Sequence, residues 1–539
     1  MKRMLAIALA ALLVFGLTAC GGTIEKADTP VASAATGAAG ETAQPKQVVV
    51  GVSMGATTMD PAHEYEWDAE MMLHSVYPTL VTSDYADESK ILPCVASEWV
   101  ISDDGLTYTF TLNQGIQFTT GKELKASDVA FSLNRLKGAA GNPSFLLSSV
   151  ESVEATGDYE VTVTLSEPNP ALLNILTRAS AGVYDAEVAQ ANGATCDSSD
   201  AGQAYFDTTS IGCGPYKISS FNSGSELVLV KNPDSYFPAG NVDTYIIRNI
   251  ADSATQQMEL EGGDLDFALD LTADQTALLE GNENIKLVSF DTMDIFFLGL
   301  NASEEYGKEL ANPTVREAIR YAIDYPGLCA LAGNGATTPA GIIPKGFLGY
   351  AGETTITRDV EKAKALLTEA GYPDGITFSM GVIPDMAPDG VSFMTLAQKV
   401  QADLAEAGIT VNIEPQEVAV YLEGYRDGKQ QSVMCHWGPD YNDSNNQLAF
   451  LPGNTVGLRL GWTAEMDPEL AELGQKASVE TDSDKRAELF AEIQKQMDEK
   501  NAPAVVLLQP GKTWAVSSRL KNLTVSAAFS FDFVSLDVQ

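Results

Sequence analysis

Residues 92–133 run LPCVASEWVISDDGLTYTFTLNQGIQFTTGKELKASDVAFSL. Within this stretch, 106–112 (LTYTFTL) alternates with period two, and the same alternation returns at 159–165 (YEVTVTL). Period two places successive side chains on opposite faces, so both segments read as half-buried antiparallel strands. Upstream, 47–53 (QVVVGVS) is a β-branched run that reads as a first strand. Downstream the period lengthens. Asn312-Pro313 offers a cap and a proline for a first helical turn, and Val315, Ala318, Ile319, Ala322 and Ile323 then form one apolar stripe. Asp359 opens a second helix, with Val360, Ala363, Leu366, Leu367 and Ala370 inward and Gly371 as its stop. Further helices are expected over about 395–407 and 484–500. Strand and helix signals thus alternate, the class is mixed α/β, and no repeat of solenoid or propeller length is present.

The chain has 539 residues, enough for several domains and a large core. It is 45% hydrophobic and 20% charged, an ordinary balance for a folded protein. Its net charge of −40 opposes any nucleic-acid role, because phosphates need a cationic face. It also opposes docking on anionic lipid. Six cysteines without a CxxC supply neither a disulfide scaffold nor a zinc ribbon. Cys196 and Cys213 are close enough in sequence to pair in an oxidising compartment. His63, His74 and His436 are the only histidines, too few for chemistry built on histidine clusters.

Lys2 and Arg3 precede an apolar run over 4–19, too short for a stable span of about 20 residues and right for a secretory signal. The run ends Leu17-Thr18-Ala19-Cys20-Gly21. This is similar to a bacterial lipoprotein cleavage box, with 1–19 removed and Cys20 as the lipidated first residue. Residues 20–46, rich in Ala, Gly, Thr and Pro after the cysteine, read as a flexible linker. The expectation is a soluble body on a lipid anchor, outside the cytoplasmic membrane.

Short motifs with catalytic or metal meaning are incomplete. Gly51-Val52-Ser53-Met54-Gly55 matches G-x-S-x-G, but a nucleophile elbow needs a helix next, and Ala-Thr-Thr-Met-Asp-Pro follows. His63-Glu64 begins like a zincin helix, yet position 67 is Trp. Asp440, Asn442 and Ser444 have calcium-loop spacing, but Asn445 stands where the turn wants Gly and Leu451 where the bidentate Glu belongs. No metal ligand set and no cofactor site is expected. The segment 431–443 (QSVMCHWGPDYND) carries more. Ser432–Trp437 reads as a strand that Gly438-Pro439 breaks, leaving Asp440 at its mouth. A carboxylate beside an indole suits an ammonium group, through charge and cation–π attraction. The plainer reading of Asp440 is a turn cap, and of Trp437 a core residue.

Several ordered segments then carry a resemblance. They are Met59-Asp60-Pro61-Ala62, Tyr77-Pro78-Thr79-Leu80, the stretch 92–133, and Ile211-Gly212-Cys213-Gly214-Pro215-Tyr216. Arg316-Glu317-Ala318-Ile319 with Ala322-Ile323-Asp324, and Ala363-Lys364-Ala365-Leu366-Leu367, continue the series. From about 47 to 510 the chain resembles the family 5 extracellular solute-binding proteins, the dipeptide, oligopeptide and nickel receptors of ABC importers.

The resemblance implies a two-lobed, type II periplasmic-binding-protein-like α/β fold with an extra α/β domain inserted in the first lobe. Lobe I would comprise 47–62, 206–292 and 508–539, the insert 63–205, and lobe II 293–507. It implies a monomer that is not an enzyme, closes on a solute, and docks on a membrane permease driven by an ATPase. A ligand drives closure only by binding the closed state better. In peptide-binding members an Asp three residues after a strand Trp pairs with the ligand ammonium, and Trp437-x-x-Asp440 fits that pattern. Backbone groups of His436 and Gly438 would run beside the peptide, and Tyr65 would line the cleft from the first lobe. The usual carboxylate-anchoring Arg is missing. Met434 stands at one family position, and Met394 and Thr395 occupy the other. A longer peptide, a cation without a carboxylate, or another basic residue such as Arg426 or Lys345 would resolve this. A nickel chelate with His436, an oligosaccharide, or (from another class) a secreted hydrolase using Ser53 are the alternatives.

Overall fold

A computed structural model describes residues 45–527 and 530–539, and these 45–539 form one compact unit. The signal run, Cys20 and nearly all of the linker lie outside the described residues. Among the described residues, no helix is long and apolar enough to cross a membrane.

Three sheets organise the chain. The first has seven strands, in the order Ile285–Asp291, Gly511–Ser517, Phe267–Ala268, Gln47–Val52, Thr244–Asn249, Glu226–Lys231 and Tyr216–Asn222. Gln47–Val52 lies parallel to both its neighbours, which buries it on both faces and explains its near-continuous Val run. The second has five strands, in the order Ile409–Pro415, Ile376–Val382, Ser432–Trp437, Ile295–Leu300 and Ala504–Leu508. Its strand IFFLGL is buried at every position, with Phe296, Leu298 and Leu300 in one core and Ile295 and Phe297 in another. The third has four strands, in the order Ala96–Ile101, Thr107–Leu112, Glu160–Leu165 and Val150–Gly157.

The alternation in this third sheet is what period two requires. Tyr108, Phe110, Leu112, Val161, Val163 and Leu165 all point into one core, against the helix Ala126–Gly138. The two strands pair antiparallel with Thr109 opposite Thr162. The helix starts are set by their caps. Asn312 accepts from the Thr314 amide at 2.9 Å, Asp359 from that of Lys362 at 2.8 Å, and Ser392 from that of Thr395 at 3.3 Å. The two later helices run Phe393–Glu406 and Ser483–Glu499. Gly212 and Gly214 let this segment lie against the chain at 75–77. A Cβ at either place would sit 2.1 or 2.2 Å from the carbonyl oxygen of Val76 or Ser75. Cys196 and Cys213 are not bonded: Cys213 is buried in the third core, and Cys196 is exposed with its thiol on the Phe131 carbonyl.

Two short crossings join the first and second sheets. The chain leaves Ile285–Asp291 and enters Ile295–Leu300 through Thr292, Met293 and Asp294. It returns from Ala504–Leu508 to Gly511–Ser517 through Gln509 and Pro510. The crossings run side by side, with the Thr292 hydroxyl donating to the Pro510 carbonyl at 2.9 Å and the Gln509 amide to the Thr292 carbonyl at 2.6 Å. Two adjacent crossings with few residues between rigid sheets have the layout of a hinge. The candidate site opens beside them.

Candidate functional site

Strand Ser432–Trp437 pairs antiparallel with Ile295–Leu300, putting Trp437 opposite Ile295 at the crossing. Gly438 and Pro439 then turn the chain out. A Cβ at 438 would come within 2.8 Å of the Asp294 Oδ1, so glycine there permits the strand mouth to approach the crossing. Asp440 follows, half-buried, facing a cavity of about 390 Å³. Tyr65, His436 and Gly438 line the same cavity, together with Trp67, Phe290 and Met293. Trp437 does not line it. Its indole faces a second cavity of about 740 Å³, which Asp440 also borders, between 145–175 and 437–479.

Asp440 is held by neutral donors. The Tyr65 hydroxyl donates to Oδ1, and the Asn446 amide donates to Oδ2 at 3.0 Å. The Trp437 Nε1–H in turn donates to the Asn446 Oδ1 at 2.8 Å, while its ring meets Phe450 edge-on at 5.7 Å. Trp437 therefore orients Asn446, and Asn446 orients the carboxylate. Burial, and then the Asp440 charge, push the Tyr65 hydroxyl well above its usual range, with Arg178 opposing, so Tyr65 stays a neutral donor. Among the described residues Asp440 has no cationic partner.

The floor of the cavity is a carboxyl pair. Burial, and then the adjacent Asp389, push Asp294 far above the usual carboxylate range, with Lys512 pulling the other way. The two carboxyls lie side by side in the cavity lining. Lys512 approaches Asp389 at 3.6 Å and lies 4.9 Å over the Trp67 ring. His436 is packed against Phe296 and Phe393 at 5.9 and 5.7 Å, and burial pushes its imidazole down, so it is neutral near pH 7. Arg426 and Lys345 do not line the cavity, and Lys345 is paired with Asp291 at 2.7 Å.

Arg178 does line it. Its Nε lies 3.2 Å from the Glu70 Oε1, which also accepts from the Ala179 amide at 2.6 Å and meets the His74 ring at 3.1 Å. Burial opposes ionisation of Glu70, but Arg178, His74 and the Ala179 N–H outweigh it and hold the carboxyl down at about 2. A depressed carboxylate stabilises the fold above its unfolded value near 4.5, and that contribution is lost as pH falls towards 2. The difference is on the order of 3 kcal/mol. Denaturant titrations between pH 7 and pH 3 should therefore show wild type losing stability faster than Glu70→Gln below about pH 4.5. Parallel losses would refute this role for Glu70.

No cofactor cradle emerges from these residues. Asp60, His63 and Asp200 gather within 4.8 Å, but away from the cavity and with Arg135 bonded to both carboxylates. Ser53 follows the strand Gln47–Val52 in coil, and the next helix begins only at Trp67, so the elbow geometry is absent. Sequence reading did not find Arg178, Asp294, Asp389, Asn446 or Lys512. Each is unremarkable in its local segment and is gathered by the crossings and the packing of distant strands.

The model of bacterial extracellular solute-binding proteins, family 5 middle, matches residues 90–457. The glutathione-binding protein GsiB of Salmonella paratyphi A is 28% identical over 517 residues, covering 91% of this chain and 94% of that protein. Among solved structures, the periplasmic binding protein DppA from Helicobacter pylori, in complex with the peptide STSA, superposes with a TM-score of 0.74 at 26% identity. That match covers 91% of this chain and 98% of the other. HbpA2 from Haemophilus parasuis gives a TM-score of 0.79 at 24% identity, over 92% of this chain and 100% of that one, a likeness of fold. The fold is thus the type II periplasmic-binding-protein architecture, and the relatives are binding proteins of transporters rather than enzymes.

Proposed function

We propose, given that the chain belongs to the family 5 bacterial extracellular solute-binding proteins, that it is the receptor of an ABC importer for a short peptide or similar amine-bearing solute. The observation that carries this reading is Asp440. Its carboxylate faces a cavity beside the crossings and has only neutral donors, Tyr65 and Asn446, around it. An ammonium entering there gains a charge-assisted hydrogen bond in a partly dehydrated site. The Tyr65 hydroxyl reaches Asp440 from the opposite wall, so the same contact that receives the solute also draws the walls together. Backbone groups at His436 and Gly438 border the path along which a peptide would extend. Trp67, Phe290 and Met293 offer an apolar wall for a side chain. A relative named for glutathione, itself a tripeptide with a free ammonium, supports the same class.

In this reading lobe I is 47–62, 206–292 and 508–539, the insert is 63–205, and lobe II is 293–507. Cys20 would carry the lipid that holds the body, as a monomer, outside the cytoplasmic membrane near its permease and ATPase. Native mass spectrometry of the gently purified protein tests the ligand class. A distribution of bound masses matching short peptides is the expected result. A single non-peptide mass, such as a metal chelate or sugar, would overturn the peptide assignment while leaving the receptor role.

A further inference from the structure

The cavity at Asp440 is lined by four charged side chains, Arg178, Asp389, Asp440 and Lys512, besides the carboxyl of Asp294. Asp389 and Lys512 face each other at 3.6 Å. Asp440 has only neutral donors. Arg178 remains. Its side chain is 14% exposed, and its Nε lies 3.2 Å from a Glu70 that is itself buried, an ion-pair contact. Its two terminal nitrogens make no hydrogen bond to any described residue. A guanidinium has five N–H donors in a planar fork, so four are left on the side that lines the cavity. The cavity therefore presents a carboxylate without a cation, at Asp440, and a guanidinium whose terminal nitrogens have no hydrogen-bond acceptor among the described residues, at Arg178.

We propose that Arg178 is the carboxylate anchor of the solute, and that the preferred ligand is a short zwitterion whose ammonium meets Asp440 while its carboxylate meets Arg178. This rests on the peptide reading above and narrows it, because a long peptide would carry its C-terminus out of a cavity of about 390 Å³. Glu70 is the positioning residue. Its ion pair at Nε holds the guanidinium in place and leaves the terminal nitrogens for a bidentate carboxylate. It also explains why no arginine is required at Met434 or in the 394–395 region: the anchor comes from the segment between the helix Leu172–Ile175 and the turn Ala179–Ala181.

The test uses calorimetry with two probes, the dipeptide Met-Leu and the tetrapeptide STSA, each as free acid and as C-terminal amide. The protein is dialysed free of co-purified solute. Wild type should prefer at least one acid over its amide by roughly 10- to 150-fold, the usual worth of a hydrogen bond to a charged group. Arg178→Gln should erase that preference by weakening the acid alone, and Arg178→Lys should restore part of it. A merely structural role would weaken acid and amide alike, so amide binding by Arg178→Gln also reports that the cleft is folded. Equal affinity of wild type for acid and amide, or a preference that survives Arg178→Gln, overturns the anchor and leaves the peptide receptor standing. Failure of wild type to bind any of the four probes removes the short-peptide reading and the anchor with it.

Discussion

Asp440→Asn should weaken binding of a free-amine peptide by about 2–5 kcal/mol, the cost of removing one partner of a desolvated charge pair. That is roughly 30- to 5,000-fold in Kd. The lower part of the range is expected if water still reaches the half-buried carboxylate in the closed form. The substitution is nearly isosteric, and Asn keeps an oxygen to accept from Tyr65 or Asn446, so the loss should come from charge and not from a collapsed wall. The control is the N-acetylated form of the same peptide. It should bind wild type as weakly as the free peptide binds Asp440→Asn, and should lose little more in the variant. If calorimetry shows the free and acetylated peptides losing equally, the ammonium is not at Asp440. Unchanged affinity for the free peptide would sink the amine anchor outright, with the receptor class intact.

The parts of this molecule that could be seen in the sequence are those governed by neighbours in the chain. Asn312, Asp359 and Ser392 cap helices because a side-chain oxygen need reach only two or three residues ahead. Thr107–Leu112 and Glu160–Leu165 alternate because one face of a pleated strand is buried. The end of strand Ser432–Trp437, and Asp440 beyond it, follow from a β run stopped by Gly-Pro. What the sequence hid is what the crossings gather. Arg178, Asp389 and Lys512 are far apart in the chain and share one cavity only because strand ends of the first two sheets meet there beside the segments that carry Tyr65 and Arg178. Trp437 shows the limit most sharply. Spacing puts it beside Asp440, but the direction of its side chain was decided by Asn446 and Phe450, which turn its indole to the second cavity. Lys345 and Arg426, the basic residues that the sequence suggested, do not line this cavity, whereas Arg178 is brought to it through space.

Arg135→Met should destabilise the fold by about 3–5 kcal/mol, because it leaves buried carboxylates without their cation. Arg135 is fully buried, and so are its partners Asp60 and Asp200, at 0% and 1% side-chain exposure. Its Nη1 and Nη2 donate to the two Asp60 oxygens at 2.8 and 2.5 Å, and Nε and Nη2 to those of Asp200 at 2.7 and 2.9 Å. The guanidinium also lies 4.7 Å over the Phe206 ring. Burial pushes the Asp200 carboxyl up, yet its hydrogen bonds to Arg135 and the Thr195 amide outweigh that and hold it below the usual range. Charge and packing can be told apart. The triple change Arg135→Met, Asp60→Asn, Asp200→Asn removes all three charges, and replacing a whole buried ionic cluster is often close to neutral. It should therefore recover most of what Arg135→Met loses in denaturant titration. If the triple variant is no more stable than the single one, the loss is one of packing and the electrostatic account fails. The consequence extends to the cavity. Asp60 turns the chain five residues before Tyr65, accepting from the Ala62 amide at 3.1 Å, so its tie to Arg135 fixes the segment that carries the Tyr65 hydroxyl to Asp440. A cluster outside the ligand's reach thus sets the position of one wall of the site, and Arg135→Met should weaken ligand binding even at temperatures where the protein remains folded.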